Sequence, residues 1–85
     1  MGRTTPTYRD QLSAIEDDWR PFRRVLRRQD KPRFDRLFVY ARDHADAAGN
    51  LNPADPLGPM WMAIALEQER RIAELEDRVE SLTEA

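Results

Sequence analysis

Apolar residues that recur every three or four positions constrain the fold of this chain more than any other feature. From position 8 to position 26 the steps are four, three, four, three and four. The six residues are Tyr8, Leu12, Ile15, Trp19, Phe22 and Leu26. This spacing places their side chains on one side of an α-helix. No run alternates between apolar and polar residues as a half-buried strand does. The pattern therefore predicts an all-α fold.

The first predicted helix covers residues 7–29 and follows a flexible N-terminus, residues 1–6. Thr7 fits the N-cap position, and Asp10, three residues later, completes a capping box. Pro21 removes a backbone hydrogen bond to Asp17 and is expected to kink or break the helix. Because the apolar stripe keeps its phase across Pro21, we expect one kinked helix over residues 8–28. A break into two short helices is the alternative.

The second predicted helix covers residues 30–48. Asp30 is a suitable N-cap, Pro32 lies in the first turn where proline is tolerated, and Gly49 is a suitable C-cap. One face is apolar and carries Phe34, Leu37, Phe38, Ala41, Ala45 and Ala48. The connection to the first helix is short, so the two helices are expected to form an antiparallel hairpin.

A long third helix, residues 59–82, is predicted after a breaker-rich loop, residues 49–58. Its start is either Asp55 as N-cap with Pro56 at the first position, or Pro59 after Gly58. Residues 60–66 are apolar on all sides and have to be covered on most of them. With 85 residues in total, the three helices amount to one small domain.

The third helix carries a heptad repeat, which predicts a short coiled-coil seam. The a positions are Ala65, Ile72 and Val79, and the d positions are Trp61, Gln68, Leu75 and Leu82. Arg71 and Arg78 occupy g, whereas Glu69 and Glu76 occupy e, so two parallel copies bring opposite charges together. The polar Gln68 lowers the stability of such a seam but can fix its register.

We therefore expect a parallel homodimer through residues 61–82. Two alternatives are that the stripe packs on the first two helices of a monomer, or that it binds a different partner helix. The third helix is longer than the other two, so part of it is expected to project beyond the hairpin. The chain has no Cys and a single His, so oligomerisation is the remaining way to staple a thin core.

The middle of the chain is strongly basic although the net charge is only −2. Residues 19–42 contain eight Arg and one Lys against two Asp, a net charge of +7, whereas residues 55–85 carry three Arg against eight acids. Eight of the cations form a candidate anion-binding or nucleic-acid-binding face: Arg20, Arg23, Arg24, Arg27, Arg28, Lys31, Arg33 and Arg36.

This Arg-rich face has two structural interpretations and two functional ones. Cations near a helix C-terminus suit the macrodipole, and the acidic third helix could lie alongside them. Alternatively, the face binds the phosphates of DNA or RNA or an anionic membrane surface. A helix-turn-helix is not indicated, since the second helix offers few base-reading side chains.

The sequence offers no catalytic apparatus, so we expect a protein that is not an enzyme and uses no cofactor, metal or small-molecule substrate. Asp43, His44 and Asp46 do not converge on one point of a helix. No glycine-rich phosphate loop is present. Residues 60–66 are too short to span a bilayer, and no signal peptide is evident, so a cytoplasmic location is expected.

Six segments of the chain resemble a family of short haloarchaeal proteins with no assigned activity. They are residues 1–10, 23–28, 34–38, 43–48, 51–53 and 68–72. The resemblance implies a milieu of molar salt, in which the Debye length is about 3 Å and loose attraction to phosphates is largely lost. It thereby favours helix–helix association over nucleic-acid binding.

The expected function is that of a non-enzymatic helical interaction or adaptor protein that self-associates through its C-terminal helix. The alternative is a small DNA- or RNA-associated regulator that uses the Arg-rich face of residues 20–36.

Overall fold

The structure, a computed structural model, describes residues 7–49 and 55–84 of the chain. Within these ranges it contains five α-helices, one 3-10 turn and no strand, which confirms the all-α prediction. The helices are α1 (Tyr8–Asp18), α2 (Arg20–Arg24), α3 (Lys31–Asp43), α4 (Ala45–Gly49) and α5 (Leu57–Glu84), and the 3-10 turn is Arg28–Asp30. The predicted flexible N-terminus and most of the predicted loop lie outside the described residues.

The first four helices form an antiparallel hairpin, with α1 and α2 in one arm and α3 and α4 in the other. Contacts between the arms run in opposite chain order: Arg9 with Asp46, Glu16 with Arg42, and Arg23 with Asp35. The rings of Phe22 and Phe34 lie 5.9 Å apart near the turn. The 3-10 turn closes the hairpin.

The N-terminal cap of the first arm follows the prediction. The Thr7 hydroxyl accepts a hydrogen bond from the Asp10 backbone N–H at 3.1 Å, and the Asp10 carboxylate accepts one from the Thr7 N–H at 3.1 Å. This reciprocal pair satisfies two backbone groups that a helix otherwise leaves open.

The prediction of one kinked helix over residues 8–28 is wrong, because the first arm is divided at Trp19. The Trp19 N–H bonds to the carbonyls of both Ile15 and Glu16, and Pro21 in the first turn of α2 has no N–H for Asp17. Beyond α2, the N–H groups of Val25 and Leu26 bond only three residues back. The helix therefore tightens and ends four residues earlier than predicted, where like-charged Arg side chains crowd its last turn.

The second arm is also divided, at His44, so a single helix over residues 30–48 is wrong as well. The His44 backbone, at φ −111° and ψ 21°, leaves the helical range. Asp30 precedes α3 as predicted, but its carboxylate accepts from Arg33 Nη1 at 3.1 Å instead of capping the backbone. Gly49 is the last residue of α4 and not a cap beyond it.

Of the two predicted starts of α5, the structure has the one at Asp55 and Pro56. The Asp55 carboxylate accepts from the Leu57 N–H at 3.0 Å, and the Pro56 carbonyl accepts from Met60 N–H at 3.0 Å. The helix has 28 residues and extends two residues beyond the predicted 59–82 at each end. At a rise of 1.5 Å per residue it is about 42 Å long.

The core lies where the N-terminal half of α5 packs against the hairpin. Its centre is Leu12 of α1 and Ala41 of α3, both with no exposed surface. The other buried apolar side chains are Tyr8, Phe34, Phe38, Ala45, Ala48, Met60, Ala63 and Ile64. Only these first turns of α5 add buried apolar side chains, so the core is small and each member matters.

We predict that Leu12→Ala lowers the free energy of unfolding by about 2–5 kcal/mol, because it leaves a cavity at the centre of the core. Val25→Ala is the control, since Val25 is exposed and its truncation is expected to change stability by less than about 0.5 kcal/mol. Urea denaturation followed by circular dichroism measures both. Equal effects of the two substitutions would contradict the position of the core.

Candidate functional site

The α5 helix has two separate faces, and only one of them contacts the hairpin. The contacting face carries Met60, Ala63, Ile64 and Glu67, at steps of three, one and three residues. At about 100° per residue, the d positions lie about 100° and the a positions about 150° from Glu67 around the helix axis. Packing on the hairpin therefore leaves most of the heptad stripe uncovered, and only Trp61, at one end, lines a cavity against the hairpin.

Glu67 is the one buried charged residue among the described residues, and it holds α5 to the hairpin. Its carboxylate lies 3.2 Å from His44 Nε2 of the second arm. On α5 itself, it accepts from Arg70 Nη2 at 2.6 Å and from Arg71 Nε at 2.9 Å. Glu67 is only 3% exposed. Both of its carboxylate oxygens are hydrogen-bonded, so its burial leaves neither oxygen without a partner.

The ionic contacts of Glu67 shift two pKa values in opposite directions. The hydrogen bond from Arg70, together with those involving His44 and Arg71, lowers the pKa of Glu67 from 4.5 to about 2, although burial acts to raise it. The same carboxylate raises the pKa of Arg70. The Glu67 carboxylate is therefore ionised throughout the neutral range.

Sequence reasoning missed Glu67 because it lies in a highly charged stretch. A signal was nevertheless present: Glu67 continues the spacing of Met60, Ala63 and Ile64, and two Arg residues follow it at i+3 and i+4. A charged residue on an apolar stripe, with partners at these spacings, is typical of a buried ion cluster.

Every residue of the predicted seam is exposed. The group consists of Trp61, Ala65, Gln68, Ile72, Leu75, Val79 and Leu82, and the exposed fraction rises from 50% at Trp61 to 77% at Leu82. The alternative in which this stripe packs on the first two helices of a monomer does not describe residues 65–82, since of the seam residues only Trp61 lines a cavity against the hairpin. Past Arg71, no hydrogen bond or ion pair joins α5 to the described part of the hairpin.

Arg71 has a second role that the heptad analysis did not include. Its guanidinium lies 4.6 Å from the centre of the Tyr40 ring, and its Nε donates to Glu67. This stacking anchors the g position to the hairpin. Among the described residues neither Nη of Arg71 has an acceptor, so both can donate to an outside carboxylate.

The Arg-rich face is only partly neutralised within the chain. Arg20 pairs with Asp17, Arg33 with Asp30, and Arg23 makes a two-bond contact of 2.8 and 2.9 Å with Asp35 that lowers the pKa of Asp35. Five cations at the hairpin tip have no acid partner among the described residues: Arg24, Arg27, Arg28, Lys31 and Arg36. The acids of α5 make no ion pair with this face in the described ranges.

An apolar cavity of about 170 Å³, here called the aromatic cavity, lies between the hairpin and α5. It is lined by five aromatic rings, from Trp19, Phe22, Phe34, Phe38 and Trp61, and by aliphatic side chains that include Ile64. The surface that lines the cavity is entirely apolar. The sequence pattern placed Trp19 and Phe22 in the core, but both are partly exposed at the mouth of this cavity.

Fold and surface together define a small all-α domain whose long last helix carries an uncovered apolar stripe. The chain belongs to the family described as a domain of unknown function, DUF8156, which matches residues 1–85. Searches of curated proteins and of solved structures found no match. No helix in residues 7–49 and 55–84 combines the length and the apolar character needed to cross a membrane.

We predict that Glu67→Gln destabilises the fold at pH 7, and that this loss depends on pH. A carboxylate whose pKa falls from 4.5 to about 2 on folding stabilises the native state fully above pH 4.5. The contribution is lost as the pH falls towards 2, so the native and variant curves converge there. Urea denaturation across this pH range measures the difference.

Glu80→Gln is the control for this pH dependence, because Glu80 is exposed on the same helix. It is expected to unfold like the native chain at every pH. A Glu67→Gln difference that stays constant between pH 4.5 and 2 would contradict the ionic role of Glu67.

Proposed function

We propose that the protein is a non-enzymatic interaction or adaptor protein that forms a parallel homodimer through the a and d positions of α5. The observation that carries the proposal is that the seven seam residues remain exposed after α5 has used its other face on the hairpin. A row of Ile, Leu and Val side chains on one line of a helix is typical of an association surface.

The exposed C-terminal half of α5 also supports a partner on energetic grounds. Residues 72–84 form about three and a half turns, and every side chain among them is exposed. A helix of that length is marginal in water by itself, because helical stability in proteins comes mainly from packing of an apolar face. Association supplies that packing for both copies at once.

Charge favours a second copy in parallel orientation over an unrelated helix. In a parallel pair, Arg71 at g lies opposite Glu76 at e of the second copy. The Arg71 stacking on Tyr40 holds the guanidinium at the edge of the seam with its Nη groups unused. An antiparallel pair brings like charges together along the same edges.

The cellular location and the salt milieu of the protein are part of the same proposal. We take the chain to be a cytoplasmic haloarchaeal protein, in line with the resemblance of its sequence segments. In molar salt, exposed charge pairs contribute less, whereas apolar burial is retained. A seam built mainly of Ile, Leu and Val suits such a milieu.

Sedimentation equilibrium at micromolar concentration tests the dimer. We expect twice the chain mass of 10.0 kDa, in dilute buffer and in molar KCl. Leu75→Asp should raise the dissociation constant more than about 100-fold, because it buries a carboxylate on each side of the seam.

Ala73→Asp is the matched control, since it adds the same charge two residues away on the outer face of α5. It is expected to leave the dimer intact. A native chain that sediments as a monomer under both conditions would contradict the proposal.

A second candidate function rests on the five unpaired cations at the hairpin tip. Arg24, Arg27, Arg28, Lys31 and Arg36 make no ion pair with an acid in the described part of the chain. Clustered Arg side chains without internal partners are suited to the phosphates of DNA or RNA.

Fluorescence anisotropy with labelled duplex DNA and with RNA tests this candidate. Arg27→Glu combined with Arg28→Glu should abolish binding or lower the slope of log affinity against log salt by about two, while the mass in solution stays the same. Arg9→Glu, at the opposite end of the hairpin, is the control. Binding that is absent in the native chain, or unchanged in the double variant, would exclude this function.

A further inference from the structure

The aromatic cavity lies on one particular side of the seam. Trp61 at position d and Ile64 at position g both line it. In a parallel coiled coil, the g edge of one helix lies beside the e edge of the other. The cavity therefore lies on the side of the seam that the e positions of a second copy approach.

Met62 is the e residue that comes closest to this cavity. It lies five residues after Leu57, so the two form a g-to-e pair across a parallel, in-register seam. Met62 is 70% exposed, and Leu57 is exposed as well. Within one chain, Met62 lies at the rim of a shallow apolar pocket beside Ala47 and Ala48, but most of its surface stays exposed, as does much of Leu57.

The residues around Trp61 leave room for a second α5 helix to approach closely. In a parallel pair, the Trp61 side chain inserts between positions 58, 61, 62 and 65 of the second copy. Position 58 is Gly and position 65 is Ala, and a Cβ added at Gly58 meets nothing within 4 Å. Small residues on both sides of a large aromatic allow the two helices to approach closely at this level.

We propose that Met62 of a second copy enters the aromatic cavity, so that two Met62 side chains fill two cavities in a symmetric exchange. This inference rests on the proposed parallel homodimer and adds that its two α5 helices are in register at Met62. The site in one chain is incomplete without the second copy.

The chemistry of the cavity suits a Met side chain. The cavity has an apolar surface, and five aromatic rings are among the groups that line it. Met is unbranched and flexible enough to fill an irregular space, and its sulfur makes favourable contacts with aromatic rings. A charged or strongly polar side chain would lose its hydration there without gaining a hydrogen bond.

The experiment uses ¹³C-methyl-labelled Met in the full chain. The sequence has three Met residues, of which Met60 is buried within one chain and Met62 is exposed. On raising the concentration through the dimer transition, the Met62 methyl signal is expected to move upfield under the ring currents of the cavity. The Met60 signal is the internal control and should shift much less.

Two variants separate this proposal from the proposed function. Met62→Gln should raise the dissociation constant at least about tenfold and leave the circular dichroism of the monomer unchanged, because Met62 is exposed there. Leu75→Asp should keep the Met62 signal at its monomer position. A dimer in which the Met62 signal never moves would overturn the Met62 exchange but not the dimer, whereas a monomer at all concentrations would overturn both.

Discussion

The carboxylate of Glu67 determines how α5 is rotated about its own axis, and the surface of the protein follows from that rotation. The carboxylate contacts His44 of the hairpin and two Arg residues of its own helix, and it is buried with both oxygens bonded. With Glu67 turned inward, Met60 and Ile64 are buried too. The heptad positions d and a are then turned away from the hairpin, by about 100° and about 150° from Glu67.

Rotation of α5 thus links a local ion cluster to the association proposed for the whole chain. Arg71 connects the two faces, because it bonds to Glu67, stacks on Tyr40 and lies at the edge of the seam. The aromatic cavity occupies the other junction, between the hairpin and the Trp61 end of the seam. In the proposed parallel dimer, Glu76 of the second copy lies at the first junction and Met62 of the second copy at the other.

Much of the fold could be predicted from the sequence because its signals are local. The Thr7 and Asp10 capping box, the Asp55 start of α5 and the helical spacing of the core residues each depend on a few neighbouring positions. The breaks at Trp19 and His44 could not be read in the same way. An apolar stripe can keep its phase through a single non-helical residue, so periodicity alone does not reveal such a break.

The candidate site was predictable in part for the same reason. The heptad is a periodic pattern, and the structure leaves its members exposed as an association surface requires. The burial of Glu67, the double use of Arg71 and the partial exposure of Trp19 and Phe22 depend on how three segments meet. The pairing of Arg23 with Asp35, twelve residues apart, likewise depends on closure of the hairpin.

The most direct test of the central claim is a cysteine cross-link, because the native chain has no Cys. Ala65→Cys places a single thiol at an a position of the seam. In a parallel, in-register dimer this thiol lies opposite the same thiol of the second copy, close enough to form a disulfide. Mild oxidation is expected to give a covalent dimer in high yield, whereas Ala73→Cys on the outer face stays largely monomeric on a non-reducing gel. Equal cross-linking of the two variants, or none at Ala65→Cys, would contradict the parallel seam.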